Sequence, residues 1–394
     1  MTAVAKSDDG RLVVEGRLVI ERHDRAVPVE REWRHLEMTG AGTLFQRFDW
    51  IDSWLQTAGR EDAVAPAILL GRLDERPAFV LPLGIRRVGP VSMAEFLGAG
   101  HSGYNFGLWS LEGAAFVQAL PRDALVGRLR AALGADALVL RRVPPQVAGV
   151  AQPLAILPAR PSEMSGYSVS LEGGMEAVLA RTGGGARRRR ANQKERRMRE
   201  MGPVECGPAA DLDEAFAALG FFAEQKALRL AEQGLQNPFA EPGVMDFLQE
   251  LLRRSQGSTE PLLEMQRLSL SGDMRAVIGT GLHRGRVALQ ILTYIRDETL
   301  PHSPGQVLLY RDIEAGAAAA RSVYDFGIGQ EGYKDSWADT VISLNDHFAA
   351  FTPAGHLALA SMRLGSGLRV ALRENRLAGG LVRAWRRREQ ETEA

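Results

Sequence analysis

Two neighbouring stretches in the second half of the chain have residue types and spacing that suit acyl or phosphoryl chemistry. The first is Ser303-Pro304-Gly305-Gln306, which predicts a helix start with a capping box formed by Ser303 and Gln306. Such a start presents unpaired backbone N–H groups and a positive dipole, and Gly305 would let a ligand approach the backbone closely. The stretch is therefore a candidate site for phosphate or pyrophosphate, although most capped helices bind no ligand.

The second stretch, YDFGIGQEGYK at residues 324–334, predicts a strand that ends in a glycine-rich loop. Loops at strand ends often carry catalytic groups because a rigid sheet holds them. Lys334 follows this loop, and its ammonium could stabilise an oxyanion or a phosphate. A solvated surface lysine is the alternative, and both remain open at this point. Asp325 and Tyr333 lie at the two ends of the loop and are assigned to substrate binding.

Composition argues against several other kinds of site. The single cysteine, Cys206, cannot form an intrachain disulfide or a cysteine-rich metal site, and the 7 histidines lack metal-ligand spacing. No metal site is therefore predicted. The glycine pattern GTGLHRG, residues 279–285, fails as a dinucleotide fingerprint because its third glycine position is Arg284, and we predict a hairpin there.

The elements around these stretches predict an α/β protein in which one unit occurs twice. In the first half, strands in AILLGRL and PAFVLPLGIR are followed by a glycine-rich loop, a helix ending at Gly134 and the strand DALVLRRV. In the second half, three strands within residues 263–295 precede a helix and the strand SVYDFGIG. Because any α/β protein alternates strands and helices, this order predicts an internal duplication but is also compatible with a fold that has none. The predicted segments are a flexible N-terminus at 1–30, a first unit with its linker at 31–165, a catalytic unit at 166–355 and a basic tail at 356–394.

The chain resembles the CelD-like (BioF2-like) acyltransferases of the GNAT superfamily, which are distantly related to the FemABX aminoacyltransferases. The resemblance extends from about Phe45 to Phe351. Its motifs are FQRFDWIDSW, FVLPLGIRRVG, FLGAGHSGYNF, RRRRANQKERRMREMGPV, FFAEQKALRL and, most specifically, SPGQVLLYRDIEAG with YDFGIGQEGYKDSWA. It implies tandem GNAT-like units, each a mixed, mostly antiparallel sheet flanked by helices, and transfer of an acyl group to an amine.

The resemblance also implies roles for individual residues. The donor's pyrophosphate would meet the segment after the fourth strand, with contacts from Ser303, Gly305, Gln306 and Val307. The usual Q/R-x-x-G-x-G/A loop is not intact here. Lys334 matches the lysine that FemABX-like enzymes use near the donor carbonyl or phosphate.

The acceptor side is predicted from position along the chain. An ammonium acceptor needs a general base, and the candidates near the end of the fourth strand are His302, Asp297 and Glu298. In the first unit, Tyr104, Asn105 and His101 are predicted to face the cleft and hold the acceptor, with purely structural roles in the loop as the alternative.

Two basic stretches interrupt a chain whose net charge is zero. Residues 181–200 hold nine Arg or Lys and two Glu, without the interleaved aromatic residues of a single-strand nucleic-acid binder. A solvated helix, a phosphate-facing helix and a nucleic-acid contact all remain open for them. Residues 363–388 have Leu and Trp at helical spacing among arginines, which predicts an anionic membrane surface as a partner, or alternatively packing on the chain's own domain or a cyclic dinucleotide as ligand.

These observations predict an N-acyltransferase that works at the inner face of the cytoplasmic membrane. The predicted co-substrate is acyl-CoA, with no permanently bound cofactor. The predicted acceptor is an amine on an envelope lipid or lipid-linked sugar, and the resemblance implies an exopolysaccharide, adhesin or sphingolipid type of pathway. The polar start MTAVAKSDDG lacks a signal-peptide pattern, which favours the cytoplasm. The alternatives are an aminoacyl-tRNA-dependent transferase and a non-catalytic effector that binds a cyclic dinucleotide.

Overall fold

The computed structural model describes residues 17–362 and the backbone of two short strands before them. The strands are β1 (Val4–Lys6), β2 (Leu12–Val14), β3 (Leu18–His23), β4 (Val64–Pro66), β5 (Ile68–Leu73), β6 (Arg76–Leu81), β7 (Leu83–Val88), β8 (Val91–Phe96), β9 (Leu108–Trp109), β10 (Ala137–Val143), β11 (Gln146–Val147), β12 (Val150–Ala151), β13 (Ala159–Ser170), β14 (Val204–Pro208), β15 (Glu264–Leu270), β16 (Asp273–His283), β17 (Arg286–Tyr294), β18 (Val323–Ile328) and β19 (Thr340–Ala350). The basic tail at 363–388 lies outside the described residues.

Helices cover the faces and ends of the sheets. They are α1 (Glu30–Thr39), α2 (Phe48–Gln56), α3 (Ala58–Glu61), α4 (Leu111–Ala119), α5 (Arg122–Leu133), α6 (Gly174–Thr182), α7 (Gly184–Met201), α8 (Leu212–Glu232), α9 (Val244–Ser255), α10 (Pro304–Ala318) and α11 (Gly332–Trp337). None of the helices in the described part of the chain is both long and apolar enough to cross a membrane.

One long sheet runs through both halves of the chain. Its 11 strands lie in the order β14-β15-β16-β17-β18-β13-β19-β10-β8-β7-β4, and a second sheet has the order β3-β5-β6-β9. Within the described residues, two pairings are parallel, β8 with β10 and β17 with β18, and the others are antiparallel. The predicted fold class, mixed and mostly antiparallel with flanking helices, is therefore confirmed.

The two parallel pairs show how the fold repeats. In the first half, β8 crosses through α4 and α5 to β10, and in the second half β17 crosses through α10 to β18. Both crossovers use helices to return a strand beside its parallel partner. The halves are joined through the sheet itself, because β19 pairs with β10 on one side and with β13 on the other.

The Pro-rich segment 144–165 is not a free linker. It contains the small β11–β12 hairpin and the first residues of β13, which pair with β19. The backbone of this segment thus satisfies part of its hydrogen bonding within sheets.

A core shared by both halves fixes their relative position. Trp50 on α2 and Phe247 on α9 pack edge to face at 5.0 Å, and both are buried. Trp33 and Leu36 of α1 are fully buried in the same core. Gly134 ends α5 in the left-handed conformation, as predicted for a helix stop.

The hairpins in the second half follow from their turn residues. Ser271-Gly272 and Arg284-Gly285 have positive φ at both positions, which is the geometry of tight hairpin turns. The second turn joins β16 to β17 through the GTGLHRG motif, so the predicted hairpin is confirmed.

Asp312 is a half-buried carboxyl group in the second half of the chain. It lies on α10 and accepts a 2.5 Å hydrogen bond from the Tyr324 hydroxyl of β18. Burial raises the pKa of Asp312 from 3.8 to about 6 despite this bond. The unfolded chain therefore loses this proton at lower pH than the folded chain does.

We predict that Asp312 makes the protein less stable as the pH rises from about 4 to about 6, by about 3 kcal/mol in all. Asp312→Asn keeps an acceptor for Tyr324 but cannot ionise, so it should lose this part of the pH dependence. Denaturant unfolding across this pH range measures the effect. Asp335→Asn, at an exposed position of α11, is the control and should retain the slope. Parallel curves for Asp312→Asn and the parent protein would contradict the assignment.

Candidate active site

The parallel pair β17–β18 opens into a gap. The two strands pair only from Arg286–Ala288 to Val323–Asp325, although β17 continues to Tyr294 and β18 to Ile328. Gly327, at φ +74, turns the end of β18 in a conformation that side-chain-bearing residues rarely adopt. The gap exposes strand ends and loop backbone, which is where ligands bind in many α/β proteins.

Asp325 stands at the point where the strands separate and is 1% exposed. Its carboxylate accepts hydrogen bonds from the Tyr104 hydroxyl at 2.8 Å, Arg286 Nη1 at 2.9 Å and the Gly327 N–H at 2.8 Å. Three donors compensate for the burial of the charge. Because Tyr104 belongs to the first half, this carboxylate links the loop at 97–107 to the mouth of the gap.

Lys334 is buried rather than solvated, with 4% of its surface exposed. Its Nζ donates to the Ile328 carbonyl at 2.7 Å, so α11 holds it against the end of β18. Burial lowers the pKa of Lys334, and the positive charge of Lys226 lowers it further, whereas Glu331 and Asp325 oppose the shift. The arrangement holds an amine in a water-poor position beside the gap, together with the half-buried Tyr333.

The start of α10 differs from the predicted capping box, and that prediction is wrong. Ser303 has a left-handed backbone, φ 50, and its side chain does not cap the helix. Its hydroxyl and the Gln306 side chain both accept hydrogen bonds from Lys194 Nζ, at 2.8 and 2.9 Å. A lysine from α7 therefore adds its charge to the positive end of the α10 dipole.

The other residues predicted to contact the acyl donor, Gly305 and Val307, lie in the same helical turn. Gly305 packs so closely that a Cβ there would lie 2.9 Å from the Tyr294 ring, so glycine is required by space. The Val307 side chain is fully buried in the core, which leaves its backbone as the only part near the helix start. The N–H groups of Gln306 and Val307 donate to the Ser303 carbonyl.

The three candidate bases have different surroundings. Asp297 accepts from the Thr299 N–H and hydroxyl and pairs with Arg275 at 3.2 Å, so it holds the turn after β17. Glu298 lies 4.0 Å from the same arginine. His302 is partly exposed beside Ser303, nearest to the start of α10.

The three first-half residues predicted to bind the acceptor substrate bond to different parts of the chain. Tyr104 reaches Asp325, as described, whereas Asn105 is tied to β10, donating to Arg141 O through Nδ2 and to Arg142 O through its backbone N–H. His101 accepts from Trp54 Nε1 through Nδ1, and burial lowers its pKa. It lines a large cleft on the first half.

The basic helix α7 is largely committed to contacts within the chain. Arg187 stacks on Trp337 at 4.0 Å and donates to the Thr182 and Ser336 carbonyls. Arg188 pairs with Glu176 at 2.5 Å. Much of the charge that suggested nucleic acid thus joins α7 to its neighbours.

Sequence reasoning missed three contributors to this site, namely Lys194, Lys226 and Arg286. Lys194 lies within the basic stretch, for which a phosphate-facing helix was one open interpretation. Lys226 and Arg286 are isolated basic residues on α8 and β17, and only the folded chain brings them to the gap.

We predict that Tyr104→Phe lowers the free energy of unfolding by about 1–3 kcal/mol, because Asp325 stays buried with one donor fewer. Tyr294→Phe is the matched control. Its hydroxyl makes no hydrogen bond within the described part of the chain, so the loss should stay below about 0.5 kcal/mol. Denaturant titration of both variants measures the difference, and equal stabilities would contradict a structural role for the Tyr104 hydroxyl.

Comparison with known proteins bears on the family and the fold. Residues 185–335, from the start of α7 to α11, match the family described as the acetyltransferase (GNAT) domain. No curated protein sequence matches the chain. FemX aligns with 85% of this chain and 97% of its own, at 11% identity and a TM-score of 0.58. The C-terminal domain of a putative lysylphosphatidylglycerol synthetase from Agrobacterium fabrum aligns with 86% of this chain and 95% of its own, at 10% identity and a TM-score of 0.52.

A third structure, L-PGS from Bacillus licheniformis, covers 87% of this chain and 98% of its own at 11% identity and a TM-score of 0.50. At such identities the likeness concerns the fold alone. The match supports the GNAT and FemX-like part of the resemblance and does not single out the CelD-like proteins. Residues 185–335 therefore resemble the acetyltransferase (GNAT) domain family, and the fold of most of the chain is similar to that of FemX.

Proposed function

We propose that the protein is an N-acyltransferase that moves an acyl group from an acyl thioester, acyl-CoA, to an amine on a cell-envelope lipid or a lipid-linked sugar. The observation that carries the proposal is the gap between β17 and β18 inside the GNAT domain, with Lys334 at one side of it and the start of α10 near the other. In the reaction the amine nitrogen attacks the thioester carbonyl, the carbon–sulfur bond breaks and the thiol leaves.

The donor end is supported by the charge at the start of α10. The helix dipole and the Lys194 ammonium are both positive there, so they favour an anionic group such as a pyrophosphate. The intact GNAT loop is missing, and a lysine from α7 takes over part of its charge in this proposal. This also gives the basic stretch a function without nucleic acid.

The acyl end is supported by Lys334. Its Nζ is fixed to the Ile328 carbonyl and lies in a buried setting, where a hydrogen-bond donor stabilises developing negative charge more strongly than in water. His302 is the candidate base in this proposal, because the carboxylate of Asp297 is already occupied by Thr299 and Arg275.

We expect acyl-CoA and CoA to stabilise the protein in a thermal-shift panel that also contains cyclic di-GMP and bulk tRNA. A ligand at about 100 times its Kd adds about 2.7 kcal/mol to the stability of the folded state. Lys194→Gln should reduce the CoA shift by weakening affinity about tenfold, because it removes a cation from the pyrophosphate site. Arg197→Gln, at an exposed position of the same helix, is the control.

The outcomes of the panel separate the alternatives. Stabilisation by tRNA alone would favour an aminoacyl-tRNA-dependent transferase, and stabilisation by the cyclic dinucleotide alone would favour an effector. Either result would contradict the acyl-CoA proposal.

We expect Lys334→Met to lower the rate of acyl transfer to an amine by about 10²–10³-fold while the fold is retained. Methionine fills a similar volume but cannot donate a hydrogen bond. The measurement is thiol release from acyl-CoA in the presence of amine acceptors, with Lys226→Met as a second variant beside the same gap. Unchanged turnover in Lys334→Met would remove this lysine from the mechanism.

A further inference from the structure

A large cleft is lined mainly by residues of the first half, and Glu241, Pro242 and Val244 of the second half also line it. It has a volume of about 1730 Å³ and lies where β8 and β10, the parallel pair equivalent to β17 and β18, separate after two residue pairs. Small-molecule pockets commonly measure about 300–1,000 Å³, so this cleft has room for a sizeable polar molecule. The active site described above uses only the second parallel pair.

Two bulges open the sheet at the cleft. The ladder between β10 and β19 slips between Leu140 and Val143, and the ladder between β13 and β19 slips between Pro161 and Ser165. The extra residues, 141–142 on one side and 162–164 on the other, all line the cleft. Bulges near functional sites turn side chains away from the regular alternation of a strand.

Arg142 is the most unusual residue of the cleft. Its φ of 54 lies in the left-handed region, and the Asp346 carboxylate and the Asn105 N–H hold its backbone there. Its guanidinium is partly buried and makes no hydrogen bond or ion pair with any residue of the described part of the chain, although the Asp346 carboxylate attracts it electrostatically and Arg141 repels it. A strained backbone that presents a half-buried, unpaired cation indicates a function for the side chain.

The remaining charges of the cleft limit what it can bind. Arg86 is neutralised by Asp62 and Glu95. Arg160 lies beside Asp346 and over Phe348. Arg141, like Arg142, has no ion pair with a described residue, so these two remain available on the β10 bulge.

Carboxylates line other parts of the same cleft. Glu163 lies on the β13 bulge, and Glu241 lies 3.9 Å from His101. A polyanion such as RNA would be repelled by these groups, and a long apolar chain would meet charges of both signs. A compact molecule that carries both a phosphate and an ammonium complements them.

We propose that this cleft binds a zwitterion of the size of an aminated sugar phosphate, with its phosphate against Arg141 and Arg142 and its ammonium against Glu163 and Glu241. Its identification as the acceptor rests on the function proposed above, whereas its binding does not. The loop at 97–107 joins the two regions, since Gly98–His101 line the cleft and Tyr104 reaches Asp325. A bound acceptor would therefore touch the loop that holds the mouth of the catalytic gap.

Calorimetric titration of the full chain without any acyl donor tests the site. The probes are glucosamine 6-phosphate, glucose 6-phosphate and glucosamine, and the first should bind at least about tenfold more tightly than the other two, which lack one charge each. Failure of acyl-CoA to bind would not affect this result, so the two proposals fail independently.

Arg142→Gly is the decisive variant. Glycine accepts a positive φ without strain, so the fold should be as stable as that of the parent protein while affinity for glucosamine 6-phosphate falls about tenfold or more. Arg142→Lys should retain part of the affinity, and Arg130→Ala, on the exposed side of α5, should retain all of it.

The site is overturned if the parent protein does not bind glucosamine 6-phosphate, or if Arg142→Gly binds it unchanged. Equal binding of glucose 6-phosphate would overturn the ammonium part of the proposal.

Discussion

The hydrogen bonds of the buried Asp325 carboxylate are the interactions on which the candidate site depends. A buried charge is costly unless donors surround it, and here the donors come from Tyr104 in the first half, Arg286 on β17 and the Gly327 backbone. Removing any of them would leave the charge less well compensated. The carboxylate therefore ties together the two halves of the chain, the point where β17 and β18 separate, and the turn that leads to Lys334. The shared core around Trp50 and Phe247 brings the halves together, but only this polar contact also fixes the mouth of the gap.

The distribution of basic residues makes sense in the same terms. The chain has no net charge, yet residues 181–200 contain nine Arg or Lys. Several of them, such as Arg187 and Arg188, bond to residues outside α7. Arg187 lies over the ring of Trp337, the last residue of the helix that carries Lys334. Lys194, further along the same helix, donates a hydrogen bond to Ser303 at the start of α10. The helix thus supports both ends of the gap, and its charge density reflects how many neighbours it must join.

Much of the fold could be predicted from the sequence, because hydrophobic periodicity and turn residues act locally. The helix ending at Gly134, the hairpins at Ser271-Gly272 and Arg284-Gly285, and the strand before Lys334 all follow from such signals. The predicted capping box is wrong because Ser303 adopts a left-handed backbone and its hydroxyl accepts a hydrogen bond from Lys194, 109 residues away in sequence. The strand β13 was missed because its proline and glycine resemble a linker, while its pairing depends on β19. The Asp325 contacts likewise span 221 residues to Tyr104, so no local pattern could reveal them.

The two parallel strand pairs, β8 with β10 and β17 with β18, occupy equivalent positions in the two halves of the chain. Each pair separates at its end, and each separation creates a gap in the sheet. In the second half a buried lysine and a positive helix start lie beside the gap. In the first unit two bulges widen the opening into a cleft lined by charges of both signs. The sheet that both halves share through β19 places the gap and the cleft on one continuous structure.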